Sequence, residues 1–231
     1  MFSSNSLGAA AQAGTGDRVV DLSVSFPSPF KEIPKVGLSL TGIDISSDNK
    51  FLADAVDATT AGFKIRLTAV GTSVLTAVQF SYIASVEAKS HIHIVNLKLD
   101  NTVDADFNAI HAPGADLSAN RELPRTVNFG GSVASPRAIA AMASFGAQQG
   151  ADITLEVNVN SFTANSADIK FRIWGNTVMN TVQSTIILYD TTKKSGFAQL
   201  TLPFGGALAT GTGLRSYAFS TFIGTPFPVA P

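Results

Sequence analysis

The stretch Ile169-Lys170-Phe171-Arg172-Ile173-Trp174-Gly175-Asn176-Thr177 decides how the rest of the chain is interpreted. Apolar and charged residues alternate in it as far as Ile173, which is the two-residue period of a half-buried β-strand. Gly175-Asn176 then predicts a turn. Trp174, the only tryptophan, is therefore expected beside that turn on the face opposite to the core. Such a ring either packs against a neighbouring loop or subunit, or offers a flat apolar surface to a ligand.

Charge and composition narrow the class of protein. The 231 residues include 16 Lys or Arg and 17 Asp or Glu, which gives a formal net charge of -1. Because no basic excess is available to hold a phosphate backbone, we expect no nucleic-acid partner. Charged residues make up 14% of the chain, against about 25% in an average soluble domain. We therefore expect much of the surface to be buried between subunits.

The chain has no cysteine, which excludes disulfides, a thiolate nucleophile and a cysteine-based zinc site. No apolar stretch approaches the roughly 18 residues that span a bilayer, so no membrane insertion is expected. The first residues lack the positive segment and continuous apolar run of a signal peptide. Localisation stays open between the cytoplasm and secretion without a signal peptide.

Several segments of the first half return in the same order in the second half. Val24-Ser25-Phe26 returns as Val127-Asn128-Phe129. Ala61-Gly62-Phe63-Lys64-Ile65-Arg66-Leu67 returns as Ala167-Asp168-Ile169-Lys170-Phe171-Arg172-Ile173. The shared order predicts an all-β chain made of two tandem copies of one small β-sandwich.

Four segments follow from this repeat. We expect a flexible arm over 1–16, a first sandwich over 17–100, a second, diverged sandwich over 101–190, and a Gly/Phe-rich extension over 191–231. The second sandwich begins with residues 101–120, which are expected to form a linker or long loop. The extension either completes a sheet or lies on a neighbouring subunit.

One Ala-rich segment, 137–147, has the composition of a helix. The repeat aligns it with the strand expected over 36–40, and we therefore predict a strand. No other segment clearly signals a helix.

Short motifs of the first half occur in an order known from one family. They are Val24-Ser25-Phe26-Pro27-Ser28-Pro29-Phe30, Pro34-Lys35-Val36-Gly37-Leu38-Ser39-Leu40, Ile43-Asp44, Thr60-Ala61-Gly62-Phe63 and Val78-Gln79-Phe80-Ser81-Tyr82-Ile83-Ala84. Together they resemble the H-type lectin family over about residues 17–85. Tyr82 stands where that family has a closing Trp.

Two stretches of the second half are also similar to this family. One is Pro113-Gly114-Ala115-Asp116, ahead of Asn120-Arg121-Glu122-Leu123. The other is Ile173-Trp174-Gly175-Asn176-Thr177, which looks like the family's Trp-His-Asn-Thr turn.

The resemblance implies a six-stranded antiparallel β-sandwich for each copy and a homotrimer as the assembly. It also implies binding of galactose or N-acetylgalactosamine in clefts between adjacent protomers. The family holds the sugar with an Asp from an N-terminal loop, a basic residue, and the Trp-His pair of the turn. Carboxylates make strong hydrogen bonds to hydroxyls, and an aromatic ring covers the C–H face of the sugar.

Matched motif by motif, the second copy offers the loop residues Gly114 and Asp116. It also offers the turn residues Trp174, Gly175 and Asn176, with Gly175 in place of the His. The basic position falls near Thr154.

The first copy offers Gly16 and Asp17 for the loop and Lys50 for the basic position. Val70-Gly71 replaces its Trp-His pair. Each copy thus keeps a different part of the family's site.

Two classes of function remain. The first is a sugar-binding lectin, and the second is a structural or assembly protein that keeps the sandwich and the trimer interface without sugar binding. No Gly-x-Ser-x-Gly elbow or phosphate-binding loop is present, so we expect neither an enzyme nor a cofactor.

A metal site is not expected. His91 and His93 lie on one face of a strand and could form a metal pair, with His111 later in the chain. Two surface imidazoles are the preferred interpretation, because no cysteine or carboxylate stands at ligand spacing. The loop aspartates lack the regular spacing of a calcium loop.

Overall fold

The computed structural model describes residues 2–4, 14–87, 91–150 and 153–193, and β-strands dominate these ranges. The elements in chain order are β1 Phe2–Ser4, β2 Arg18–Ser25, β3 Lys35–Ser46, β4 Asn49–Val56, β5 Gly62–Ala69, β6 Val74–Ser85, β7 Ile92–Asp100, α1 Ala105–Ile110, β8 Arg121–Asn128, β9 Pro136–Ala147, β10 Leu155–Phe162, β11 Ser166–Ile173 and β12 Met179–Asp190. The predicted all-β class is confirmed.

The described strands form three antiparallel sheets. Two have three strands each, in the orders β1-β6-β3 and β10-β11-β8, and the third has the order β2-β5-β4-β9-β12-β7. The third sheet runs through both halves of the chain, because β4 pairs with β9 over Asn49–Ala147, Lys50–Gly146 and Phe51–Phe145. The halves are therefore joined strand to strand, and their apolar side chains form one buried cluster.

Strand β11 confirms the alternation seen in the sequence. Ala167, Ile169, Phe171 and Ile173 are fully buried, and the residues between them are partly exposed. Trp174 follows directly and is half-buried, on the face away from that core. The period of this stretch thus predicted the orientation of each of its side chains.

Strand β9 confirms the prediction for residues 137–147. Ala138, Ala143, Phe145 and Ala147 are buried in it. Pairing with β12 and β4 therefore overrides the helical propensity of this Ala-rich segment.

The expectation of an irregular linker over 101–120 is wrong in part, because α1 lies within it. Asp104 caps this helix by accepting a hydrogen bond from the Phe107 N–H at 2.9 Å, and the Phe107 ring is buried. Aspartate is a favoured cap because its carboxylate satisfies an amide that the first turn of a helix leaves unpaired.

The two predicted terminal segments lie mostly outside the described residues. In the arm expected over 1–16, residues 5–13 lie outside, and Phe2–Ser4 pairs with β6. In the extension expected over 191–231, residues 194–231 lie outside.

We call the contact between β3–β4 and β7, β9 and β12 the seam. Thr185 Oγ1 accepts a hydrogen bond from the Leu38 N–H at 3.0 Å, and Gln183 Oε1 accepts one from the Ala53 N–H at 3.0 Å. Every residue of β12 except Asn180 is buried, because one face packs on its own half and the other on the seam.

The sheet pairings of the two halves share two register shifts, of which one lies between Asp44 and Ile45 and again between Gly146 and Ala147. The other lies in the middle of each pairing. In the β3–β6 pairing the register shifts between Leu40 and Gly42. In the β9–β12 pairing it shifts between Met142 and Ser144, opposite Ser184 and Gln183. A β-bulge, in which one extra residue is left unpaired, therefore lies at the same place in both pairs of strands.

Candidate functional site

A turn over residues 70–73, the first turn, follows β5. Arg18 holds it in place: its guanidinium donates to the Gly16 carbonyl at 2.6 Å, to the Gly71 carbonyl at 2.7 Å, and to the Ser73 carbonyl. Gly71 has a φ of 64°, a left-handed conformation that glycine adopts without strain. The guanidinium therefore ties the segment before β2 to the first turn.

The predicted first-copy residues Gly16, Asp17 and Lys50 meet around this turn. The Asp17 carboxylate accepts from the Gly71 N–H at 3.4 Å, and the Lys50 N–H donates to Ser73 Oγ at 3.0 Å. A second carboxylate, Asp48, lies there too and accepts from the Thr72 hydroxyl at 2.8 Å. Lys50 pairs with Gly146 across the seam, so this cluster lies where the two halves meet.

A second turn, over 174–177, follows β11 and is held in the same way. The Arg121 guanidinium donates to the Thr177 carbonyl at 2.8 Å, to the Gly175 carbonyl at 3.4 Å, and to the Ile110 carbonyl at 2.9 Å. Burial lowers the pKa of Arg121 below its usual value. Gly175 has a φ of 63°, close to that of Gly71 in the first turn.

Trp174 is fixed through Thr154. The Trp174 N–H donates to Thr154 Oγ1 at 3.3 Å, and the Thr154 N–H donates to Thr177 Oγ1 at 2.9 Å. Thr154 thus makes the same contact with the second turn as Lys50 makes with the first, a backbone N–H that donates to a hydroxyl of the turn. The Arg172 guanidinium carbon lies 5.3 Å from the centre of the indole, which is within the range of a cation–π contact.

A polar groove of about 280 Å³ begins at Arg172 and crosses the outer face of β10, β11 and β8. Lys170 pairs with Glu122 at 3.0 Å, and the Asn158 amide donates to Glu156 at 2.6 Å. Glu156 also pairs with Arg172. Carboxylates, amides and cations in this arrangement can donate to and accept from a ligand rich in hydroxyls.

The predicted loop residues Gly114 and Asp116 are exposed, and the known contacts of Asp116 are local. The Ser118 hydroxyl and N–H donate to its carboxylate at 2.6 Å and 2.8 Å. These bonds lower the pKa of Asp116 below its usual value of 3.8. A role for Gly114, for Asp116 or for the exposed turn residue Asn176 in binding stays a prediction.

Sequence reasoning missed the two arginines that hold the turns. Arg18 and Arg121 both stand at the first position of a strand, β2 and β8, and each follows an Asp or Asn. That shared position was the available signal. The contacts themselves join residues more than fifty positions apart, as from Arg18 to Gly71.

The interpretation of His91 and His93 as two surface imidazoles is wrong for His93. This side chain is only 7% exposed, and Gly131 packs against its ring, whereas His91 is exposed. Within the described residues no three potential metal-ligating side chains lie together. In the same part of the chain, no helix has the length and apolar character needed to cross a membrane.

The fold and the two turns define an all-β protein with polar clusters at turns that follow β5 and β11. Residues 22–85 match the family model of the H-type lectin domain. This match begins in the middle of β2 and continues through β6, and it supports the family that the sequence motifs indicated. Neither the curated proteins nor the solved structures gave a match to the chain. A lectin domain binds carbohydrate, and carbohydrate binding is therefore the function to which the family match points.

Proposed function

We propose that this chain is a lectin with two tandem H-type lectin-like sandwiches that recognises galactose- or N-acetylgalactosamine-type glycans. The observation that carries the proposal is the match of residues 22–85 to the H-type lectin domain. Lectin domains act by binding, and we expect no catalytic step.

The recurrence of one strand order supports two copies, over 17–100 and 101–190. The first half has the orders β1-β6-β3 and β2-β5-β4, and the second has β7-β12-β9 and β8-β11-β10. The shared bulge and the arginine at each turn recur with them. A recurrence of register irregularities and side-chain contacts is hard to reach without a common structural unit.

The chemistry of the turns supports sugar binding. Around the first turn lie the carboxylates of Asp17 and Asp48, which suit sugar hydroxyls, together with the backbone of Lys50. At the second turn the half-buried Trp174 offers an aromatic face next to the polar groove. In the proposed site Gly114, Asp116, Gly175 and Asn176 accompany Trp174, and Gly16 accompanies the first cluster.

The position of Lys50 at the seam supports sites at boundaries between copies. We propose that similar boundaries between protomers of a homotrimer carry further sites. Repetition of weak sites on one assembly raises avidity.

One contact favours the second candidate, a structural or assembly protein without sugar binding. The Arg172 guanidinium already covers one face of the Trp174 ring. Thr154 also replaces the basic residue, and Gly175 replaces the family's His.

Calorimetric titration with N-acetylgalactosamine, preceded by a glycan array, tests the proposal. We expect binding by the native chain and a loss of at least about tenfold in Trp174→Ala, since burial of a large apolar side chain contributes about 1.5–3 kcal/mol. The matched control is Phe162→Ala, because Phe162 also lies under an arginine, with Arg137 at 5.5 Å, and is 37% exposed. Absence of binding to every glycan favours the structural candidate, and equal binding by Trp174→Ala excludes a role for the indole.

A further inference from the structure

The seam joins two different surfaces. The first half contributes the start of β4, which pairs with β9. It also contributes the N–H groups of Leu38 in β3 and Ala53 in β4, which donate to side chains of β12 in the second half. When unlike surfaces of two copies meet in this way, each copy keeps one such surface that the other copy, as far as the structure describes it, does not cover. Both surfaces rest on the proposed function, in which the chain contains two copies of one unit.

The first of these surfaces is an open groove of about 230 Å³ on β3 and β6, which we call the β3–β6 groove. Ile43 pairs with Val78 there, as Phe145 pairs with Val182 beside the corresponding bulge of the second half. The β3–β6 groove is lined by Gly42, Ile43, Asp44, Ala77, Val78 and Gln79. Their counterparts by register are Ser144, Phe145, Gly146, Thr181, Val182 and Gln183.

The residues of the β3–β6 groove and their second-half counterparts differ in burial. All the second-half counterparts are buried, and Gln183 is only 6% exposed. In the first half Asp44 and Gln79 are exposed. Within the described residues β4 therefore covers this surface in the second half, whereas the first-half surface is exposed at Asp44 and Gln79.

The second of these surfaces is the start of β10. β10 is an edge strand of its sheet in the described part of the chain, and Ile153 just before it is 41% exposed. Thr154 corresponds to Lys50, because each donates its N–H to the hydroxyl of its turn, Thr177 or Ser73. In the first half the matching segment is the one that pairs with β9.

We propose that a second copy of this chain docks its β3–β6 groove on the start of β10 and repeats the seam between molecules. Because Lys50 lies opposite Gly146 in the seam, Thr154 lies opposite Asp44 of the second chain. Thr154 accepts a hydrogen bond from the Trp174 N–H. Asp44 of the second chain, opposite Thr154, therefore brings a carboxylate close to the second turn. The site that lacks its own basic residue and His gains a charged acceptor for sugar hydroxyls from the neighbouring molecule.

The side chains around Asp44 fit this arrangement. A Cβ on Gly146 would lie 2.7 Å from Thr181 Cγ2, so a glycine is needed beside that threonine. In the first half Ala77 takes the place of Thr181 and leaves room for the aspartate side chain.

Disulfide trapping between two single-cysteine variants tests the docking. The Lys50 carbonyl accepts from Val70 N at 3.1 Å and so points away from β9. The equivalent pair of Thr154 and Asp44 is then a non-hydrogen-bonded pair, about 4.5 Å apart at Cα, which a disulfide can bridge. The chain has no cysteine of its own, so Asp44→Cys and Thr154→Cys each carry a single thiol.

We expect a mixture of the two variants to give a disulfide-linked dimer on mild oxidation, and neither variant alone to do so. Light scattering of the native chain at micromolar concentration gives more than a monomer, and Ile153→Asp returns it to a monomer. The matched control is Ile33→Asp, at an isoleucine that is 65% exposed in a loop, and it leaves the assembly intact. A mixture that crosslinks no more than its components, or an Ile153→Asp variant that stays assembled, overturns the docking.

Binding of N-acetylgalactosamine tests the role of Asp44 in the site at the second turn. Asp44→Asn keeps the assembly and weakens N-acetylgalactosamine binding by about tenfold or more, the size of a lost hydrogen bond to a charged group. The control Asp57→Asn removes an exposed aspartate that pairs with Lys64 at 2.9 Å, and it leaves binding unchanged. Equal effects of the two substitutions overturn the role of Asp44.

The two proposals fail in different ways. Trapping needs no sugar, so crosslinking without any glycan binding contradicts the lectin function alone. Glycan binding by a chain that does not crosslink contradicts the docking alone.

Discussion

Replacing Gln183 by leucine tests whether the seam depends on buried hydrogen bonds. Gln183 Oε1 accepts from the Ala53 N–H at 3.0 Å and from the Ser144 hydroxyl, and its amide donates to Asp54 at 2.8 Å. Ala53 and Ser144 are buried, whereas Asp54 is exposed. Leucine has a similar volume, so the substitution removes the hydrogen bonds without leaving a large cavity.

The expected loss follows from the two groups that remain. Each buried donor without a partner costs about 1–3 kcal/mol, and the leucine recovers part of this through burial of apolar surface. We therefore expect Gln183→Leu to lower the free energy of unfolding by about 2–4 kcal/mol. Adding Ser144→Ala removes one of the unpaired groups and should restore about 1 kcal/mol.

Urea unfolding at a fixed protein concentration measures both changes through the transition midpoint. The control is Gln148→Leu, at an exposed glutamine just after β9, and it should change stability by less than about 0.5 kcal/mol. If Gln183→Leu falls within the range of this control, the seam does not depend on these hydrogen bonds.

Two further perturbations test the seam and the α1 cap. Gly37→Ala should lower the free energy of unfolding by about 1–3 kcal/mol, because the new Cβ overlaps the Thr185 methyl group. The control is Gly130→Ala, whose new Cβ meets nothing within 4 Å. Thermal unfolding compares the two variants. Burial opposes ionisation of Asp104, but hydrogen bonds from the Phe107 N–H and Arg125 outweigh it and lower its pKa below the usual 3.8. Ionised Asp104 therefore stabilises the fold above pH 3.8, and this contribution is lost as pH falls through the lower folded pKa. In Asp104→Asn, which keeps a capping side chain, acid titration of stability should be flatter in that window, and an unchanged slope would contradict this assignment.

Local patterns predicted strands such as β11 but did not predict how the two halves meet. The 137–147 segment was correctly predicted as a strand only because the repeat aligned it with 36–40, since its own composition favours a helix. α1 was missed because six residues give too short a window for a helical period. Its cap at Asp104 was the signal that could have located it.

The candidate site was predictable in its parts and not in its arrangement. Asp17, Lys50 and Trp174 were named from motifs, and the structure places Asp17 and Lys50 around one turn and Trp174 at another. Arg18 and Arg121, which hold those turns, were not named as site residues, although Arg121 lies in a motif that is similar to the family. Their partners are carbonyl groups, and a carbonyl is present at every residue whatever its side chain.

The sequence alone determined the all-β class, the faces of strands such as β11, and the turn at Gly175, because side-chain period and turn chemistry are local. Only the tertiary structure decided that β4 pairs with β9, and so joins the two halves. Gln79 and Gln183 occupy matching places in the repeat, yet the first is exposed and the second is buried. The difference comes from a partner such as Ala53, which lies 130 positions away from Gln183. No local pattern can encode such a contact, because burial depends on what the rest of the folded chain places over a residue.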